Sequence, residues 1–195
     1  MAQIYNVGDV YHFPDGSKGI VCYVNPDNPR KGWAIALHDL DGTFPLWTGN
    51  TPSGLKRSSY QESTSLAVWQ PEGKYNTRVL LESGRSEVAE LIGVYDGWYI
   101  PDAVQLRKIY GLIPIIKDVL ETEGGDIGSF CNSTNAEYWS SSFRNGTSAY
   151  RMEGTGHAGC IRTCGASQKC HIRPVRDFGN DEAFAYWIEP YQTAA

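Results

Sequence analysis

The sequence has few basic residues and no long apolar run. It holds 17 Lys and Arg against 22 Asp and Glu, which gives a formal net charge of −5. This balance lacks the basic stripe of nucleic-acid-binding proteins and the polybasic patch that holds a lipid surface. No stretch approaches the roughly 20 apolar residues of a membrane span. We therefore expect no nucleic-acid partner and no membrane insertion.

A visible leader and a disulfide framework are also missing. The first residues, Met1–Tyr5, have neither a basic n-region nor an apolar h-region, so no signal peptide is visible in this chain. The five cysteines are an odd number. We therefore do not expect disulfides to be what holds the fold together.

Aromatic residues and glycine are abundant instead. Six Trp, twelve Tyr and 21 Gly occur among 195 residues, a length that fits one domain able to bury roughly 70% of its unfolded surface. This mixture indicates a loop-rich α+β or mostly β protein. We divide it into a β-rich part over residues 1–73 and a second part over 74–195, which together form one unit.

The first part is predicted to consist of short strands and turns. Tyr5–Phe13, Gly19–Val24 and Trp33–Leu37 are runs bounded by Pro, Asn, Asp and Gly, as in hairpins. Residues 43–73 are polar and irregular, and we expect them to form a long surface excursion.

The second part is predicted to begin with two or three helices. Asn76 or Thr77 caps the first, which Gly84 interrupts. The next begins at Pro101-Asp102, where a proline fits the first turn and an acidic side chain complements the helix dipole. Pro114 is expected to start a further turn or helix.

The last third has ordered edges around an unpatterned middle. An aromatic strand at Tyr138–Ser141 and a charged strand at Ile172–Asp177 are expected to be neighbours in one sheet, with the Pro101–Tyr110 helix packed on it. Residues 142–171 have no apolar periodicity, so packing does not dictate their types. We interpret them as a long irregular segment that displays a binding surface.

No cofactor or metal site is expected in this segment. The spacing of Cys160, Cys164, Cys170 and His171 matches none of the common zinc-finger patterns. A Cys160–Cys164 or a Cys164–Cys170 disulfide could form in an oxidising compartment.

We also expect no catalytic residue. Ser140-Ser141-Ser142 lacks the G-x-S-x-G context of a nucleophile, and His157 belongs to no recognisable triad. The remaining candidates are interpreted as structural. They are an ion-pair and backbone-bonding set of Arg173, Arg176 and Asp177, and a core set of Trp98, Tyr138 and Trp139.

Three motifs together resemble a known family. They are WYIPDAVQLRKIY at 98–110, YWSSS at 138–142 and HIRPVRDF at 171–178. They are similar to the C-type-lectin-like domain of Bacteroides-type bacteria and their phages, which is related to the formylglycine-generating enzymes. The N-terminal YNVGDVY, GIVCYVNP and GWAIAL resemble the first part of those proteins. The resemblance implies a C-type-lectin-like fold in which the tryptophan strand pairs with the last strand.

One branch of this family comprises the variable proteins of diversity-generating retroelements. Their randomised codons never encode Trp, Met, Lys, Gln or Glu, and the segments 142–151 and 154–167 contain none of these. Met152, Glu153, Gln168 and Lys169 would be fixed. The resemblance thus implies a hypervariable ligand-binding face, formed by Phe143, Arg144, Asn145, Thr147, Ser148, Tyr150, Arg151, Thr155, His157, Cys160, Ile161, Arg162, Thr163 and Ser167.

The function implied is non-enzymatic binding of a protein or glycan receptor on a cell surface. The setting would be host attachment by a phage tail, which the missing leader favours, or display on a bacterial surface. The calcium and sugar motifs of true lectins are absent. Two alternatives are a non-variable surface module that binds polysaccharide or protein, and an oxidase of the formylglycine-generating type. The oligomeric state stays open.

Overall fold

The first sheet is antiparallel and combines three N-terminal strands with two strands from later in the chain. The computed structural model describes residues 4–56, 72–93, 97–133, 135–154 and 160–179. The sheet has the order β1-β2-β3-β8-β4. Its strands are β1 (Val10–His12), β2 (Lys18–Asn25), β3 (Asn28–Ala36), β4 (Trp98–Tyr99) and β8 (Val175–Phe178). Because β3 pairs with β8, residues from both predicted parts share one sheet.

The β2–β3 hairpin matches the predicted strand positions. Its apolar strands pair with Val21 opposite Ala34 and Tyr23 opposite Trp33. The first strand is shorter than the predicted Tyr5–Phe13, since only three residues pair with β2. Tyr5 instead packs its ring on Tyr11 at 4.9 Å.

Three α-helices lie in the described chain, namely α1 (Gly73–Glu82), α2 (Glu87–Gly93) and α3 (Ala103–Thr122). Asp102 caps α3, because its carboxylate accepts from the Gln105 backbone N–H at 2.7 Å. Pro114 lies inside α3 and does not start a new helix, which corrects the prediction. A proline removes a single backbone donor, and the buried Ile113 and Ile116 on either side anchor the helix through it.

The second sheet is antiparallel with the order β5-β6-β7. Its strands are β5 (Glu137–Asn145), β6 (Ser148–Glu153) and β7 (Ile161–Gly165), and a π-helical turn at Gly128–Asn132 precedes them. The α+β class with small antiparallel sheets is thus confirmed. The prediction of a long irregular segment over 142–171 is wrong, because most of the described residues in this range belong to β5, β6 and β7. Both faces of this sheet are partly covered, so its sequence lacks the clean alternation of a one-sided strand.

The two C-terminal strands are not neighbours, contrary to expectation. β5 belongs to the second sheet and β8 to the first. The chain touches β5 only before β8 begins, through a parallel bridge between Tyr138 and His171. Pro174 then interrupts the run, because proline has no N–H to give to a ladder. The predicted strand from Ile172 therefore starts at Val175.

Residues 43–56 are partly core, which corrects the predicted surface excursion; residues 57–71 lie outside the described chain. Leu46 and Trp47 are 0% and 1% exposed. Phe44 forms an antiparallel bridge with Cys170. Leu46 and Trp47 are only two adjacent apolar residues, which is too short a run for a hydrophobic periodicity to reveal their burial.

Two apolar clusters hold the layers together. In the first, α3 packs between the first sheet and the Tyr138 and Met152 side chains of the second. In the second, Trp139 packs with Leu46, Trp47 and residues of α1 and α2. Tyr138 and Trp139 are fully buried as predicted, whereas Trp98 is half-buried. The second sheet is thus fixed to the core on both faces.

Candidate functional site

The β5–β6 hairpin carries most of the predicted binding residues. Its turn runs from Asn145 to Ser148, which pair across the strands, and Gly146 adopts a φ of 49° that favours glycine. Two contacts hold the turn from outside. The Thr51 hydroxyl donates to the Gly146 carbonyl, and the Ala166 N–H donates to the Thr147 carbonyl at 2.8 Å. The tip is therefore a braced turn.

The structure separates the predicted binding residues by exposure. Six are exposed, namely Arg144, Asn145, Thr147, Cys160, Arg162 and Ser167. Five are half-buried, namely Phe143, Ser148, Arg151, Ile161 and Thr163. Tyr150 is buried, at 7% exposure. Thr155 and His157 lie outside the described residues.

The exposed residues of the hairpin form one group, which we call the tip cluster: Arg144, Asn145 and Thr147. Arg144 Nη1 donates to the Thr163 hydroxyl at 2.9 Å, so the guanidinium lies across the sheet toward β7. Beneath it, Phe143 packs near the Trp47 ring at 6.4 Å. The cluster thus presents one cation and two short polar side chains on an anchored base.

Arg151 and Arg162 belong to an ion-pair network across all three strands. Arg151 lies 2.6 Å from Glu137 and 3.4 Å from Glu153, and Arg162 lies 3.0 Å from Glu153. Arg151 also donates to Gln168 at 3.0 Å. Arg162 is exposed and can contact a ligand, whereas Arg151 is mostly enclosed by these partners.

Glu137 and Glu153 are not among the predicted site residues, because the prediction selected residue types that the randomised codons can encode, and those codons never encode Glu. The signal that could have found them is the alternation of charge on neighbouring strands. Glu137 lies directly opposite Glu153 and Arg151 opposite Arg162, so the opposite charges meet on the diagonal, within reach of these long side chains. Ser140, Ser141 and Ser142 are buried as well, and Ser140 donates to the Tyr150 carbonyl at 2.8 Å. The Ser141 hydroxyl donates to the Pro101 carbonyl at 3.3 Å, and the Ser142 hydroxyl accepts from the Ala103 N–H at 2.9 Å.

Two cysteines, Cys164 and Cys170, lie close to Arg151. Cys164 is half-buried on β7, Cys170 is 1% exposed, and Cys160 is exposed. All five cysteines are free thiols. Among the described residues, no three His, Cys, Asp or Glu side chains are grouped so that they could hold a metal ion.

A polar cavity of about 310 Å³ lies on another side, where the sequence indicated no site. It is lined by His38, Asp39, Leu40, Asp41, Gly42, Asp126, Ser129 and His171. Asp39 Oδ1 lies 2.6 Å from Arg173 Nε, and its other oxygen accepts from the Tyr138 hydroxyl at 2.6 Å. Burial raises the pKa of Asp39, which Arg173 and Tyr138 partly oppose. Both carboxylate oxygens of Asp39 thus already have partners within the protein.

Arg173, Arg176 and Asp177 form structural contacts, as predicted. Arg173 is fully buried and donates to the carbonyls of Leu37 and Asp126 at 2.5 and 2.6 Å. Arg176 lies 2.6 Å from Asp15, and the Tyr99 hydroxyl donates to Asp177 at 2.7 Å. These contacts connect the first sheet with the loops around it.

The fold is similar to that of a fimbrial protein from Bacteroides ovatus. The structures superpose with a TM-score of 0.60 at 19% sequence identity, over 89% of this chain and 49% of that chain. No family model and no curated protein matches the sequence. In the described part of the chain, no helix has the length and apolarity needed to cross a membrane. The chain spans about half the length of the fimbrial protein, and the similarity establishes a shared fold.

Proposed function

We propose that this chain is a non-enzymatic binding module, displayed on a bacterial cell surface, that contacts a protein or glycan receptor through the tip cluster and through the exposed Arg162 and Ser167. The observation that carries the proposal is the braced hairpin. Its exposed side chains are polar and cationic, while the sheet below is packed on both faces. Preorganised side chains lose less entropy on binding than mobile ones.

The similarity to a fimbrial protein supports the setting. Fimbriae are surface structures, so the shared fold favours a bacterial surface over a phage tail. We also propose that the protein is a C-type-lectin-like variable protein of a diversity-generating retroelement. The support is the motif resemblance and the residue types of 142–151 and 154–167.

Burial restricts which positions could vary. Ser142, Ala149 and Tyr150 are at most 7% exposed, so random replacement there would disturb packing. Variation that keeps the fold would be concentrated at the exposed residues. The gene can test this directly. A near-repeat template and an adjacent reverse-transcriptase gene should accompany it, and codons at the exposed positions should derive from adenine-rich template codons.

The binding face can be tested with matched triple variants. We expect Arg144→Ala/Asn145→Ala/Thr147→Ala to melt like the wild type but to bind glycan arrays and intact gut bacterial cells about 30-fold more weakly. One arginine anchor contributes about 2 kcal/mol, which corresponds to that factor. The control is Arg30→Ala/Thr122→Ala/Asn132→Ala, which removes the same three residue types from other exposed positions.

The control should bind like the wild type. Equal binding by both variants would place the receptor site elsewhere and contradict the proposal. Unfolding of the tip variant would show that the hairpin residues are part of the core.

A further inference from the structure

A chain reversal after β7 brings two cysteines together. Cys164 lies near the end of β7, and the Gln168 N–H donates to the Gly165 carbonyl at 3.0 Å to close a turn. The returning strand is fixed by Cys170, whose backbone exchanges hydrogen bonds of 3.0 and 3.1 Å with Phe44. The Cys170 thiol consequently faces Cys164, and the two sulfurs are hydrogen-bond partners.

Both thiols lie against the same ion pair. Cys170 Sγ is 4.0 Å from Glu137 Oε2, the oxygen that Arg151 Nη1 contacts at 2.6 Å. The Arg151 side chain is a hydrogen-bond partner of both Cys164 and Cys170. A hydrogen bond from a charged donor stabilises an anionic sulfur beside it.

The surroundings divide the roles between the two thiols. The hydrogen bond from Cys170 and the charge of Arg151 lower the pKa of Cys164, against its partial burial and the charge of Glu137. The hydrogen bond to Cys164, burial, and the negative charges of Cys164 and Glu137 raise the pKa of Cys170. Thiolates are the nucleophiles of thiol chemistry. Cys164 is therefore the group that attacks first, and it is also the more exposed of the two.

We propose that Cys164 and Cys170 form a reactive dithiol that reduces low-molecular-weight or protein disulfides and thereby becomes an intramolecular disulfide across the turn after β7. This site is separate from the tip cluster, so its test does not bear on receptor binding.

The reaction proceeds in two exchanges. The Cys164 thiolate attacks one sulfur of a disulfide RS–SR′, a bond forms between Cys164 and RS, and R′S⁻ leaves and takes up a proton. The negative charge on Cys164 is then gone, which removes a cause of the high pKa of Cys170. Cys170 loses its proton to Glu137 or water and attacks Cys164 Sγ, and RS⁻ leaves. The protein dithiol is oxidised, and one disulfide is reduced to two thiols.

The full chain carrying Cys160→Ser is the background for the test, because it removes the exposed thiol. The probe is oxidised glutathione added to the folded protein, followed by unfolding, alkylation and intact-mass measurement. The background protein should lose two alkylatable thiols and keep no glutathionyl group. Adding Cys170→Ser should trap one glutathionyl group on Cys164, and adding Cys164→Ser should abolish the reaction.

A glutathionyl group retained by the background protein, or loss of no thiol, would overturn the proposal.

The rate of the reaction with oxidised glutathione should also depend on pH. A thiol whose pKa falls by one unit gains tenfold in thiolate but loses nucleophilicity, so the net gain near neutral pH is about threefold. Arg151→Gln should move the midpoint of the pH–rate profile upward, while Arg151→Lys should keep it. An unmoved midpoint would overturn the positioning role of Arg151.

Discussion

At the scale of single residues, the buried cation Arg173 binds two separate segments. Its guanidinium reaches Asp39 and the carbonyls of Ala36 and Leu37 at the end of β3, and the carbonyl of Asp126 after α3. It also stacks on Phe130, with its Cζ 4.5 Å from the ring centroid. A side chain this enclosed acts as a crosslink between loops that have few apolar residues of their own.

Removing this charge should be costly. We expect Arg173→Met to lower the free energy of unfolding by about 3–5 kcal/mol, because the Asp39 carboxylate then stays buried without its partner. Urea denaturation followed by circular dichroism measures the change. Adding Asp39→Asn should recover part of the loss, and the exposed Arg162→Met serves as the control. A single variant as stable as the control would mean that the pair contributes nothing.

At the scale of elements, the starts of α1 and α3 share one carboxylate. Asp102 caps α3 and also accepts from the Glu72 N–H at 3.0 Å, where α1 begins. Burial raises the pKa of Asp102 to about 6, despite these backbone donors. Burial and the negative charge of Asp102 raise the pKa of Glu72 from 4.5 to about 7. The two helix starts are thus held close at the cost of placing two acids together.

This arrangement predicts a pH-dependent stability. Between pH 4.5 and about 7, folded Glu72 holds a proton that the unfolded chain releases, so the unfolding free energy should fall as the pH rises through this window. The effect is on the order of 1 kcal/mol, since the half-exposed carboxylate is partly screened. Glu72→Gln should flatten the profile, measured by thermal melts from pH 4 to 8.

The exposed Glu90→Gln is the control for loss of one negative charge, and it should leave the slope of the profile unchanged. Parallel profiles for wild type and Glu72→Gln would show that Glu72 takes up no proton on folding.

Elements were predictable where local chemistry decides them. β2 and β3 contain apolar runs between turn residues, and Asp102 marks the start of α3. The sequence therefore predicted the positions of these three elements. Leu46 and Trp47 were missed because their burial depends on β5 and the helices, which are distant in sequence. In the candidate site, the exposure of Arg144 and Arg162 could be predicted, because both lie in a stretch of sequence without apolar periodicity. The pairing of Arg151 with Glu137 requires the strand register, which the sequence does not show.

At the scale of the whole molecule, Trp139 connects the second sheet to the rest. It is 0% exposed, and its indole N–H donates to the Phe44 carbonyl at 2.8 Å. We expect Trp139→Ala to cost about 3–5 kcal/mol. The half-buried Phe143→Ala, at the rim of the same cluster, should cost less. Chemical denaturation of both variants tests the order, and equal stability of Trp139→Ala and wild type would remove Trp139 from the core.

The position of β8 between β3 and β4 has a consequence during synthesis. β3 ends at Ala36, yet its partner β8 begins at Val175, so its outer edge has no native partner until the chain has been made past Val175. An unpaired edge strand can pair with other chains, and contacts this distant in sequence form slowly. A nascent chain therefore carries an open β3 edge while residues 37–174 are made, and binding of a chaperone at that edge would protect it during this interval.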